Sequence, residues 1–346
     1  MRRATMIVLA VLMSANAAAQ EPGTATPPEG ESTAAAAPAA FQPAGSTKAS
    51  KRRGSMVGYI EDATIRTELR LRFDGGFGVD SPDRAEFFYG KCGCYRGLAG
   101  SPLLDVDAPG PGPGIVTDLD FQQFNVMGQF AVSDRLSVFG ELPLLQSIRP
   151  QSFVPGTGSF GNMSGIGDLK AGLKVGLVSD ERRSATVMLR ASFPTGDALK
   201  GLGTDHASLE PAFLYRHDLS DRVSIESQIG DWHPFGGSRG PLPTDDKFTG
   251  DVIYYGIGPS FDVVHTDKVQ FTPVIELVGW HVVRGFETKT LLTPLGGDAK
   301  GVNIVNLKVG ARTTFAGGSL YVGFGRALTD AVWYDKMLRV EYRAGF

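Results

Sequence analysis

The sequence has few cysteines and, after its first twenty residues, no long apolar run, and each scarcity excludes a class of protein. Cysteine occurs twice in 346 residues, too rarely for a disulfide-stabilised scaffold. No later stretch approaches the ~18 apolar residues of a transmembrane helix, so only strands could cross a membrane. The net charge of −3 gives no bulk attraction to nucleic acid. No metal-ligand spacing or phosphate-binding loop stands out. We therefore expect no metal, cofactor or nucleic-acid partner.

The two cysteines, Cys92 and Cys94, lie two positions apart in a glycine-containing run. A disulfide across so short a ring would be strained and easily reduced. We favour a local disulfide on a surface loop, with free thiols as the next alternative. A metal site would need ligands beyond these two.

The first 58 residues are predicted to lie outside the folded domain. Residues 1–20 combine Arg2 and Arg3, an apolar run of eight and a small-residue end, which is the order of a secretory signal peptide. Residues 21–58 are rich in alanine and proline. Because such a segment buries too little apolar surface to offset its conformational entropy, it predicts a disordered periplasmic linker.

From Ile65 onward the pattern has a period of two. Ile65, Leu69 and Phe73 alternate with Arg66 and other charged residues, which predicts a strand with one apolar and one charged face. Glycine, at 45 residues, is about twice as frequent as average, which favours a turn-rich β protein. Eleven further candidate strands follow at 119–132, 136–148, 165–178, 184–193, 207–217, 222–232, 248–263, 268–282, 302–315, 319–326 and 336–346.

The connections between these strands alternate in length. Short turns at 133–135, 179–183, 218–221, 265–267 and 316–318 interleave with longer Gly/Pro/Asp-rich loops at 75–117, 149–164, 194–206, 233–247, 283–301 and 327–335. Outer-membrane barrels have short periplasmic turns, longer outside loops and an even number of strands. The sequence therefore predicts an all-β protein: a transmembrane antiparallel up-and-down β-barrel of about twelve strands over residues 59–346.

The last strand alternates apolar and charged residues and stops on Phe346. This resembles the terminal strand of outer-membrane proteins, which the barrel-assembly machinery recognises by its final aromatic residue. We therefore expect outer-membrane lipid and that machinery as partners, and the bacterial cell outer membrane as the location.

The second face of each strand carries charged and polar residues that would line the lumen, because a basic residue facing hydrocarbon at mid-depth costs about 2–4 kcal/mol. These side chains either form a polar path for solute or pair across the lumen and rigidify the wall. Twelve strands predict a narrow, partly obstructed interior. The predicted lumen residues are Arg66, Glu68, Arg70, Arg72, Lys170, Lys174, Arg190, Glu210, Arg216, Glu226, Gln228, Glu276, Lys308, Arg312, Arg339, Glu341 and Arg343.

Aromatic residues cluster near the predicted loop ends, as in an interfacial girdle. Two of them, Trp232 and Trp280, share the strand phase of the lumen residues Glu226 and Glu276. They are therefore candidates for an aromatic lining of the barrel mouth, which would suit an apolar or aromatic solute. The remaining aromatic residues of this group are Phe193, Phe235, Phe248, Phe286, Trp333 and Tyr334.

The middle of the chain contains the runs SGIGDLKAGLK at 164–174, FPTGD at 193–197, GLGT at 201–204 and LEP at 209–211. In these strands and Gly/Asp corners the chain resembles the outer-membrane family of the meta-pathway of phenol degradation, whose members are regarded as transporters. The resemblance covers roughly residues 120–346. It implies a channel that takes up aromatic or other hydrophobic compounds.

These observations predict a passive outer-membrane channel for small, aromatic or hydrophobic solutes, and not an enzyme. One alternative is a non-conducting barrel whose long loops, 75–117 above all, bind a partner. Another is a barrel lipid hydrolase, for which His206 and Ser208 at the outer rim are the nearest candidates.

Overall fold

The computed structural model describes residues 54–80, 110–114, 116–236, 250–287, 297–330 and 333–345. The predicted signal peptide, most of the linker, the Cys92–Cys94 pair, Phe248 and Phe346 lie outside the described residues. Within them, no helix is long and apolar enough to cross a membrane, a finding that does not bear on crossing by strands.

Twelve long antiparallel strands form one closed wall in which every strand pairs with its neighbours in sequence. The ring closes where the first strand pairs with the last, from Glu68 opposite Gly345 to Phe77 opposite Lys336. The strands are β1 (Glu68–Val79), β2 (Val116–Ser133), β3 (Leu136–Phe153), β4 (Leu169–Ser179), β5 (Arg183–Phe193), β6 (Ala207–Asp218), β7 (Val223–Phe235), β8 (Val252–Phe261), β9 (Gln270–Val282), β10 (Asn303–Phe315), β11 (Gly318–Ala327) and β12 (Lys336–Gly345).

A few short elements lie beside the twelve strands. Met163–Gly165 pairs with β3, and Val264–His265 pairs with β9. Phe286–Glu287 and Gly297–Asp298 pair with each other, and Ala198–Lys200 forms one 3-10 turn. The prediction of a twelve-strand antiparallel barrel is confirmed.

The wall has an apolar outer face and a charged inner face, as strand β10 illustrates. Leu307 and Val309 are exposed, whereas the alternate residues Lys308 and Arg312 are fully buried. In water this distribution would be inverted, because charged groups are costly to bury and apolar ones costly to expose. In a bilayer it is the favourable arrangement. The barrel is therefore a transmembrane one.

Its two rims differ in the length of their connections. The five short turns, the start of β1 and the end of β12 lie at one edge of the barrel, which we call the turn rim. The longer connections join strands at the opposite edge, which we call the loop rim. In the turn between β4 and β5, the backbone N–H of Arg182 donates to Asp180 Oδ1, and the N–H and guanidinium of Arg183 donate to the same carboxylate. These bonds lower the pKa of the Asp180 carboxyl below its usual range. Short turns of this kind fix the register of the hairpins.

A β-bulge in β3 changes which residues face inward. The register with β2 shifts between Phe124 and Asn125, and both Leu144 and Leu145 are exposed. After the bulge Gln146 points into the lumen, where its Oε1 accepts a hydrogen bond from Gln123. Simple alternation along β3 would have placed Gln146 on the lipid face.

The start of the barrel differs from the prediction. We expected a disordered linker up to residue 58 and a first strand from Ile65, but residues 54–67 run inside the barrel and β1 begins at Glu68. Arg66, expected on that strand, precedes it and pairs with Asp62 and Glu68. The linker prediction is therefore wrong for residues 54–58. Their composition resembles a linker, but their burial depends on contacts with distant wall residues.

Candidate functional site

Residues 54–67, which we call the plug, occupy the half of the lumen next to the turn rim. Met56, Val57, Ile60 and Ala63 are all almost completely buried. The plug bends at residues 58–60 and returns, since a Cβ on Gly54 would lie 2.5 Å from Arg66 Nη1. It therefore enters and leaves at the turn rim, and its tip lies at mid-depth.

A single wall carboxylate holds the tip of the plug. Glu276 on β9 accepts the backbone N–H groups of Gly58, Tyr59 and Ile60 at 2.8–2.9 Å. It also accepts the Tyr321 hydroxyl at 3.0 Å. This gives the tip an anion nest built from successive N–H groups, the same device that binds phosphates in loops.

Wall cations satisfy the plug's carbonyl groups. Arg312 donates to the carbonyl oxygens of Met56 and Val57, and Arg343 also donates to that of Val57. Arg339 reaches the Gly58 carbonyl at 2.6 Å, and Lys174 reaches that of Asp62 at 2.8 Å. Because buried backbone groups need partners, these charged side chains make the irregular plug compatible with the lumen.

The plug contributes two carboxylates of its own to the lumen network. Glu61 pairs with Arg190 at 3.0 Å and lies 3.5 Å from Arg70. Asp62 pairs with Arg66 at 2.7 Å and lies 3.7 Å from Arg343. The plug thus interleaves with the wall charges instead of merely covering them.

Aromatic rings complete the seat of the plug tip. Tyr321 lies so close to Gly58 that a Cβ there would meet its Cε1 at 2.2 Å, so only glycine fits at this point. Tyr59 lies under two cations, with Lys308 Nζ 4.6 Å and Arg339 Cζ 4.3 Å from its ring centre. Such cation–π contacts stabilise more when desolvated.

Beyond the plug, towards the loop rim, lie two adjoining cavities of about 110 and 60 Å³, which we call the vestibule. Tyr59 and Glu61 of the plug form part of its floor. Both cavities share the same four wall residues, Gln123, Lys170, Arg190 and Glu210. The prediction of a narrow, partly obstructed lumen agrees with this arrangement, although the obstruction comes largely from the plug.

The predicted lumen residues fall into three groups in the structure. Arg72, Lys170, Arg190, Glu210, Gln228, Trp232, Trp280 and Arg339 line the vestibule. Lys308 donates to the Tyr334 hydroxyl at 2.8 Å within an aromatic cage. The plug half holds Arg66, Glu68, Arg70, Lys174, Arg216, Glu226, Glu276, Arg312, Glu341 and Arg343.

Sequence reasoning missed several members of this network. Glu141 Oε1 accepts a hydrogen bond from Arg72 Nη2 at 2.6 Å, and Asp74 Oδ1 accepts one from Arg339 Nε at 2.6 Å. Both residues share the inward phase of their strands, so the alternation that found their neighbours could also have found them. Glu61 and Asp62 of the plug carry no such periodic pattern.

The aromatic prediction divides in the same way. Trp232 and Trp280 are buried and line the vestibule, and Trp232 Nε1 donates to Ser208 Oγ at 2.9 Å. Trp333 and Tyr334 were assigned to the interfacial girdle, and this is wrong because both are buried. The burial of these two side chains is not evident from the local sequence. Phe193 and Phe235 are exposed, as a girdle requires.

The loop between β5 and β6 is held by one carboxylate. Asp168 accepts the backbone N–H groups of Gly196 and Thr204 and the Thr204 hydroxyl at 2.8–2.9 Å. His206 Nδ1 bonds the Thr204 carbonyl oxygen, and its ring stands edge-on to Trp232. The two residues weighed for hydrolysis, His206 and Ser208, therefore take part in fixing this loop and Trp232.

Near the loop rim, on the outer face, Asp231, His233 and Asp251 place their ligand atoms within 4.8 Å of one another. His233 Nδ1 lies 2.6 Å from Asp251 Oδ1, and Arg284 Nε lies 2.6 Å from Asp251 Oδ2. The guanidinium thus already supplies positive charge to this cluster.

No family model and no curated protein sequence matches this chain. Among solved structures, it is similar to an outer-membrane channel from Pseudomonas putida F1, with 14% identity, a TM-score of 0.49, and coverage of 84% of this chain and 99% of the other. It is also similar to the β domain of the Bordetella autotransporter BrkA, with 14% identity, a TM-score of 0.46 and coverage of 81% and 100%. It is similar to the NanC porin as well, with 7% identity, a TM-score of 0.43, and coverage of 80% of this chain and 99% of the other. The resemblance to the phenol-degradation family stays a prediction.

Proposed function

We propose that this protein is an outer-membrane channel for small solutes, including aromatic or hydrophobic ones, and that the plug closes it. The observation that carries the proposal is the division of the lumen. A vestibule lined by charges and aromatic rings lies on one side, and a separate segment, not the wall itself, fills the other. A lumen filled throughout by its own wall side chains would contain no such vestibule.

The plug is suited to movement because it is held by hydrogen bonds and ion pairs rather than by strand pairing. Met56 N–H donates to Glu226, Glu61 N–H donates to Gln228, and the Ala63 carbonyl accepts the Thr186 hydroxyl. Water can replace each of these partners once the segment leaves, so its release exchanges hydrogen bonds instead of losing them. The wall strands keep their own ladder throughout.

The rims support an orientation of the channel in the membrane. Short turns lie on the periplasmic side of outer-membrane barrels and long loops lie outside, so the vestibule would receive solute from outside. The plug would open towards the periplasm.

A redox lock tests the gate. A Cβ on Gly256 would lie 3.0 Å from Ile60 Cγ1. A cysteine at position 60 would place its Sγ at this γ position, within reach of a cysteine at position 256. In a Cys92→Ser, Cys94→Ser background, Ile60→Cys with Gly256→Cys should therefore form a bridge between plug and wall. We expect single-channel conductance in planar bilayers to be almost abolished when the pair is oxidised and restored by dithiothreitol.

The matched control is Ile60→Cys alone in the same background, which should show no response to redox conditions. If the oxidised and reduced double variants conduct equally, the plug is not the gate. If neither form nor the wild-type protein conducts at any voltage, the channel function itself is rejected.

A further inference from the structure

The vestibule contains one basic side chain that has no ion pair or hydrogen bond. Lys170 on β4 lines both cavities and is half-buried. Across the register it faces Glu141, but the Glu141 carboxylate is engaged by Arg72 at 2.6 Å. Among the described lumen cations, only Lys170 lacks both an ion pair and a hydrogen bond.

The other charged side chains of the vestibule have direct partners within the protein. Its carboxylates are each engaged by a guanidinium or, for Asp168, by backbone N–H groups: Glu61 and Glu210 by Arg190, Asp74 by Arg339, and Glu141 by Arg72. An ammonium group that is partly removed from water without a partner is unfavourable unless an anion joins it. The lining as a whole holds four basic side chains and five carboxylates, so Lys170 differs from the other basic side chains in lacking a direct partner of its own.

A second unpartnered donor lines the same cavity. Tyr254 is about 5% exposed, and its hydroxyl has no hydrogen-bond partner. Its ring passes directly over Gly230, where a Cβ would lie 2.6 Å from the hydroxyl oxygen. A buried hydroxyl without a partner is uncommon in a native structure and calls for an explanation such as a ligand.

Apolar and aromatic surface lies beside these donors. Trp280 and Val278 line the 110 Å³ cavity with Tyr254, and Trp232, Leu202 and Pro143 line the 60 Å³ cavity. Because the Trp232 N–H is already bonded to Ser208, that residue offers the cavity its ring rather than a donor. This surface suits a flat apolar body, while one ammonium and one hydroxyl suit a single carboxylate.

We infer that the vestibule selects small organic monocarboxylates, with the Lys170 ammonium and the Tyr254 hydroxyl binding the carboxylate and the tryptophan rings contacting the apolar body. The inference rests on the proposed channel function and names the class of solute. An ammonium–carboxylate contact in a half-desolvated site strengthens binding by about tenfold or more.

Binding to the purified full-length barrel in detergent tests the inference without requiring transport. Isothermal titration would compare benzoate with benzamide, which has the same shape and no charge. Benzoate should bind about tenfold more tightly. Lys170→Gln should abolish that preference while leaving benzamide unchanged, and Lys170→Arg should keep it. Tyr254→Phe should weaken the affinity for benzoate a few-fold. Lys268→Gln, an exposed lysine at the turn rim, is the matched control and should change neither.

Equal binding of the two ligands to the wild-type barrel, or no benzoate binding, overturns the inference, as does a Lys170→Gln barrel that keeps the preference. Heat-modifiable mobility in gels verifies that each variant is folded. If Lys170→Gln does not fold, Lys170→Arg, which should keep the preference for benzoate, and Tyr254→Phe, which should weaken benzoate binding, still test the inference. Charge-selective binding without conductance would remove the channel function and leave the binding site. Conductance without charge-selective binding would keep the channel function and reject the carboxylate site.

Discussion

Replacing Glu276 with alanine should open the barrel. The substitution removes the acceptor of three plug N–H groups and of the Tyr321 hydroxyl. Each buried donor left without a partner costs about 1–3 kcal/mol. Even at the lower value, the three backbone donors shift the balance between seated and displaced plug by about 3 kcal/mol, roughly a hundredfold. We expect a correspondingly large rise in open probability in planar bilayers.

The control for this prediction is Glu141→Ala. Glu141 is a buried lumen carboxylate like Glu276, but its partner is Arg72 of the wall and not the plug. Its removal should leave the plug seated and change the open probability much less. Should Glu276→Ala remain as closed as the wild-type barrel while running as a folded barrel on gels, the nest at the plug tip does not hold the gate.

A charge on the outer face should destabilise the barrel strongly. Val309 lies at the middle of β10 and is 53% exposed. If this face meets lipid, Val309→Arg places a guanidinium near the bilayer midplane, which costs about 2–4 kcal/mol of unfolding free energy. Reversible denaturant unfolding in phospholipid bilayers measures this loss directly.

The same substitution at the membrane edge provides the comparison. Val263 is 59% exposed but lies between β8 and β9 at the turn rim, where Val263→Arg should cost about 0–1 kcal/mol. Equal effects at the two positions would show that the apolar band does not lie in hydrocarbon.

Local sequence was enough to predict the wall. The apolar and charged residues of β10 and β12 alternate with the strand period of two, so each residue's face follows from its position alone. The alternation of short and long connections set the number of strands and the rims. Where alternation is interrupted, at the bulge before Gln146, no local pattern indicates the change in facing.

The plug could not be predicted in this way. Residues 54–67 have neither a strand nor a helix period, and their composition indicates a linker. Their burial depends on partners far away in sequence, since the Arg343 guanidinium and the Val57 carbonyl that it binds are 286 positions apart. Such contacts exist only after the barrel has closed.

The sequence by itself therefore determined that this chain is a barrel and, outside the bulge in β3, which face of each strand turns to the lumen, because a strand's facing is local and a bilayer fixes the sign of the apolar face. Only the tertiary structure decided which of those charges pair with one another, which basic side chain lacks a direct partner, and that residues 54–67 fill part of the lumen. These outcomes depend on distances between side chains of different strands, and no spacing along the chain encodes them.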